Sequence, residues 1–103
     1  MNNIILGKLK PSGTERIVIQ NSGESKFIET IVVANTSNSV KTFDIAISGY
    51  ANISIKDEDY LFKDYEIEAN DTVFINIEVN IKKIDCLYVS SDGSVVFTII
   101  GNE

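Results

Sequence analysis

Seven carboxylates crowd the stretch from Asp57 to Asp71: Asp57, Glu58, Asp59, Asp64, Glu66, Glu68 and Asp71. Two such groups could serve as the acid and base of glycoside hydrolysis. Several oxygens on a flexible loop could also hold a hard cation such as calcium. Asp57-Glu58-Asp59 lacks the spaced Asp/Asn-x-Asp pattern with a central glycine, however, and a charge run between strands is ordinarily a solvated loop. Other chemistries lack their residues. The chain contains no histidine and a single cysteine, Cys86, so Ser-His-Asp and Cys-His arrangements and histidine general bases are excluded. One cysteine forms no intramolecular disulfide and offers too few ligands for zinc. Cys86 lies within Ile84-Asp85-Cys86-Leu87-Tyr88-Val89 and reads as a small buried hydrophobe. The expectation is a chain that is not an enzyme, with no catalytic, cofactor-binding or metal-binding residues.

Charge narrows the partners. The formal net charge is −6, and the nine Lys and Arg are scattered. Neutralising phosphates needs clustered basic residues, so neither nucleic acid nor an anionic membrane surface is an expected partner. The sequons at Asn35, Asn52 and Asn70 read as by-products of an Asn-rich chain. The first residues, Met1 to Gly7, lack the pattern of a secretion signal, and no apolar run reaches membrane-spanning length. Synthesis in a cytoplasm is expected.

The residues that remain must be positioned by strands. Seventeen Ile and nine Val stand against four Leu and four Ala, and β-branched side chains suit a pleated sheet. Period-two alternation between turn signals predicts about eight strands, with no sustained helical period. They run over Ile4–Leu9, Glu15–Gln20, Lys26–Asn35, Val40–Ser48, Tyr60–Ile67, Val73–Ile81, Ile84–Ser90 and Ser94–Ile100, with a short irregular segment at Asn52–Ile55. Phe43, Ile45 and Ile47 share one face of their strand, and Thr42, Asp44 and Ala46 the other. Val73, Ile75, Ile77, Val79 and Ile81 face inward while Phe74, Asn76, Glu78 and Asn80 face out, since a one-residue slip would bury amides and a carboxylate. Glu68-Ala69-Asn70-Asp71 reads as a turn, and Ser91-Asp92-Gly93-Ser94 as a hairpin built on Asp-Gly. The predicted fold is all-β: a single domain over residues 1–103, an antiparallel β-sandwich of jelly-roll or immunoglobulin type.

Two features point to contacts with other molecules. Phe74 is an aromatic on a polar face, suited to a subunit or a ligand. The strand Ile4–Leu9 could lie across a neighbouring copy, since Ile/Val-rich edges must be covered or used. The candidate contact residues are therefore Ile4, Leu6, Leu9, Tyr60, Tyr65 and Phe74. Tyr50, Tyr60, Tyr65 or Phe74 could instead stack on sugar rings, the arrangement of a carbohydrate- or receptor-binding adhesin, although tryptophan, a common sugar platform, is absent. A pilus-like surface subunit using strand addition is a third reading, weakened by the missing secretion signal.

Four segments read together resemble a family of short proteins from tailed bacteriophages, virion structural or tail-fibre-associated components. They are Leu6-Gly7-Lys8-Leu9-Lys10-Pro11-Ser12; Ile31-Val32-Val33-Ala34-Asn35 with Phe43-Asp44-Ile45-Ala46-Ile47; Tyr60-Leu61-Phe62-Lys63-Asp64 with Ala69-Asn70-Asp71-Thr72; and Asp85, Tyr88-Val89-Ser90-Ser91, Val96-Phe97 and Gly101-Asn102-Glu103. The chain departs from the pattern at Ser48 to Lys56, where the family has a small Ala/Pro/Gly-rich loop. The resemblance implies a β-sandwich subunit of a phage particle, on head, collar, tail or fibre. It would be present in many copies, contact itself and larger virion proteins, and lack cofactors.

Overall fold

The computed structural model describes residues 4–10, 16–20, 26–48, 57–81 and 86–102, with the backbone alone at 16–20, 26, 48 and 86. The strands are β1 (Ile4–Leu9), β2 (Arg16–Gln20), β3 (Lys26–Asn35), β4 (Lys41–Ser48), β5 (Tyr60–Ile67), β6 (Thr72–Ile81), β7 (Cys86–Ser91) and β8 (Val95–Asn102), with one 3-10 turn at Asp57–Asp59. The expected segment Asn52–Ile55 lies outside the described residues.

The pairings nest. β4 pairs with β5, β3 with β6, β2 with β7 and β1 with β8, all antiparallel. The chain is thus a long hairpin folded at the β4–β5 tip. Lateral pairings of β8 with β3 and of β7 with β4 roll it into two sheets, β1-β8-β3-β6 and β2-β7-β4-β5. This is the eight-stranded jelly roll, the first of the two sandwich types expected.

Between the sheets lies an aliphatic core of Ile28, Ile31, Val33, Ile45, Ile67, Ile81, Leu87, Val89, Val95 and Ile99 with two phenylalanines. Phe43 of one sheet meets Phe97 of the other edge to face, with centroids 5.9 Å apart, the geometry that ring quadrupoles favour. Along β6 the inward and outward sets fall as the alternation predicts. On β4, Phe43, Ile45 and Ile47 point to the core, and Ala46 on the other face is covered in a small cluster with Tyr88 and Tyr60.

Turns at one end of the sandwich are knit together by Asn35, which is 2% exposed. Its amide Nδ2 donates to the carbonyls of Ser39 (2.8 Å), Ile67 and Glu68 (both 3.1 Å). Its Oδ1 accepts from the Ser37 N–H and hydroxyl. The turn after β3 is thereby fixed to the turn after β5. Thr36 donates from both its N–H and its hydroxyl to the Ser94 carbonyl, adding the β7–β8 hairpin. Left-handed backbone at Asn70 (φ 57°), Gly93 (φ 114°) and Ser94 (φ 58°) closes these turns where Asn-Asp and Asp-Gly predict them.

Candidate assembly surface

The outer face of the β1-β8-β3-β6 sheet is built by register. Lys8 pairs with Thr98, Thr98 with Val32 and Val32 with Phe74, so these four form one row across the sheet. Ile5, Ile100, Thr30 and Asn76 form the next, where the Thr30 hydroxyl donates to Asn76 Oδ1 at 2.8 Å. On the other side lie Val96, Ala34 and Thr72. Cross-strand partners share a face, so these rows present aliphatic and threonine side chains with Phe74, Asn76 and, as the one charge among them, Lys8; Glu78 follows Asn76 on the same side of β6. Phe74 is 71% exposed and Ile5 55% exposed. A phenylalanine kept in water forgoes about 2 kcal/mol of transfer free energy, a cost that a contact surface recovers on binding.

The edges of the sheets differ from this face. β1 gains an extra residue between Ile5 and Gly7, β6 is bulged opposite Glu29 with Glu78 at φ 45°, and β5 is bulged at Asp64, φ 51°. Bulges twist an edge away from a further strand. β2, the fourth edge, pairs evenly with β7 from Arg16 to Gln20.

The sequence-predicted contact residues separate into two groups. Phe74 stands on the outer face. β1 pairs with β8 of its own chain; Ile4 is exposed on that edge strand, while Leu6 and Leu9 pack against the core. Tyr60 and Tyr65 lie in the other sheet. Tyr60 packs against Ala46 and Tyr88, with the Lys63 ammonium 4.9 Å from its ring centroid. Tyr65, half exposed, lies 5.3 Å from both Phe43 and Phe62. Tyr50 is outside the described residues, as is the side chain of Cys86. Ile5, Val32, Val96 and Ile100 join the surface without having been singled out by sequence.

Of the seven carboxylates from Asp57 to Asp71, one, Asp64, meets other acids in a groove elsewhere. Thr42, Phe43, Asp44, Asp64, Ser90, Ser91 and Asp92 line an open groove of about 210 Å³ on the β2-β7-β4-β5 sheet. Its acids hold the backbone. Asp44 Oδ1 accepts the Asp64 N–H at 2.7 Å, and Oδ2 accepts the Ser90 hydroxyl at 3.1 Å. Asp92 Oδ1 accepts the Thr42 N–H at 3.1 Å. The bulge in β5 displaces Asp64 from the ladder, and the Asp44 carboxylate takes its N–H. Among the described residues no group of three or more Asp, Glu, His or Cys is arranged to hold a metal ion, and no helix is long and apolar enough to cross a membrane. The chain matches no protein-family model and no curated protein.

Proposed function

We propose that this chain is a structural subunit of a bacteriophage particle, on head, collar, tail or fibre, and that it acts by docking to itself and to larger virion proteins. The observation that carries the reading is the outer face of the β1-β8-β3-β6 sheet, where Ile5, Val32, Ala34, Val96 and Ile100 stand among threonines and a phenylalanine is exposed on edge strand β6. Jelly rolls occur in viral capsid proteins and in lectins, so the fold suits an assembly role without specifying one. The resemblance of Leu6–Ser12, Ala69–Thr72 and Gly101–Glu103 to short phage proteins supplies the particle. Repetition on a symmetric lattice would let modest contacts add through effective concentration.

Mass spectrometry of density-purified virions, produced from the genome that encodes the chain, tests this. The chain is expected as a multi-copy component. Its absence from virions would overturn the proposal, and binding of the isolated chain to a glycan panel would favour the adhesin reading instead.

A further inference from the structure

We infer that the outer face of the β1-β8-β3-β6 sheet is covered by the same face of a second copy, about a two-fold axis running close to the strand direction. The inference deepens the assembly reading, on which it rests for its use in the particle. Charge selects the occupant and the axis. The groove acids Asp44 and Asp64 belong to the opposite sheet, and within the three rows around Val32 Lys8 is the one charged residue, Glu78 lying beyond Asn76 on β6. Lys8 lies on edge strand β1 and Phe74 on edge strand β6, at opposite ends of one row. A two-fold parallel to the strands carries each β1 over the partner's β6. Each Lys8 ammonium then meets a Phe74 ring of the other copy, twice by symmetry, in the geometry of a cation–π contact. A two-fold across the strands would lay β1 over β1 and bring the two Lys8 charges together.

Size agrees. Four strands about 4.8 Å apart and about 27 Å long give a face of roughly 500 Å² in projection. The relief of the side chains raises the accessible area toward the ~800 Å² per partner of a stable pair. The bulges on β1 and β6 disfavour the alternative of edge-to-edge pairing by this sheet.

Sedimentation velocity over a concentration series, on the whole chain, tests the arrangement. The chain is expected to dimerise. Phe74→Lys places like charges opposite each other and should weaken the dimer about 30-fold or more. Adding Lys8→Glu to Phe74→Lys restores opposite charges across the same contact and should recover dimerisation, a rescue that a merely damaged fold would not give. Thermal melting of Phe74→Lys checks that the monomer is folded. A chain that stays monomeric up to roughly 1 mM overturns the inference. So does a dimer indifferent to Phe74→Lys, or one that Lys8→Glu fails to restore. A monomer that is nevertheless abundant in virions would sink the two-fold pair and leave the assembly reading standing, and a dimer absent from virions would do the reverse.

Discussion

Replacing Asn35 with aspartate exchanges one heavy atom, the amide nitrogen for an oxygen, and inverts the hydrogen-bonding sense of the group that ties two turns together. In the native chain the Nδ2 amide faces the carbonyls of Ser39, Ile67 and Glu68 at 2.8, 3.1 and 3.1 Å. A carboxylate oxygen there would face three acceptors at 2% exposure. The fold can be kept only by protonating the new carboxyl, which then donates one hydrogen bond in place of the amide's set. Relative to an ordinary aspartate value near 3.9, holding the proton at pH 7 costs about 4 kcal/mol. The sign follows. The folded state holds the proton that the unfolded state has released, so stability falls as pH rises above ~3.9, by about 1.4 kcal/mol per pH unit, until the raised folded value is passed. Asn35→Ala lacks this titration and loses about 3 kcal/mol from the broken hydrogen bonds at every pH, a drop of roughly 15 °C in melting temperature for a chain of this size. Urea unfolding of wild type, Asn35→Ala and Asn35→Asp between pH 4 and 8 separates the cases. A constant offset between Asn35→Asp and Asn35→Ala across that range, or an Asn35→Ala protein within about 0.5 kcal/mol of wild type, would refute the role assigned to this side chain.

Three further perturbations test local features. Asp44→Ala removes the acceptor of the Asp64 N–H and of the Ser90 hydroxyl and should cost about 1–2 kcal/mol in urea unfolding, much of it recovered by Asp44→Asn, which keeps an acceptor oxygen. Glu78→Gly relieves a non-glycine residue at φ 45° and should stabilise by about 1 kcal/mol, read as a higher melting temperature. Gly101→Ala drives a Cβ into the Phe27 carbonyl and within 3.1 Å of Ile28 Cα. Both obstacles are backbone, so a loss of about 2 kcal/mol or more is expected, and wild-type melting of this variant would contradict the close approach.

The strands were legible because their residues alternate and their turns carry strong signals. β6 shows this best: a shifted register would bury Asn76, Glu78 and Asn80, so Phe74 had to face out. β8 was legible as a strand but not as a surface. Val95 to Ile100 is apolar on both faces apart from Thr98, so alternation cannot say which half is solvent-facing, and Val96 and Ile100 emerge on the outside only through pairing with Ala34 and Thr30. The choice between jelly roll and immunoglobulin type depended on the nesting of β1 with β8, a pairing of chain ends that no local pattern carries. Asn35 read as the last residue of the strand Lys26–Asn35 and as a sequon without a role, since its partners Ile67 and Glu68 lie more than thirty residues away. The acidic stretch divided for the same reason: Asp64 joins Asp44 and Asp92 through sheet register, while Asp57–Asp59 forms a separate 3-10 turn.

The most direct test of the assembly surface is competition during particle assembly. In the phage that the proposed function assigns to this chain, deleted for the frame, wild-type chain and a Phe74→Ser chain, distinguishable by mass, would be supplied in equal amounts and their ratio measured in purified particles. Phe74 is exposed and outside the core, so the variant should fold normally. Depletion of the variant by about tenfold or more is predicted, in line with loss of an exposed aromatic anchor; equal incorporation would contradict the claim that this face holds the subunit in the particle.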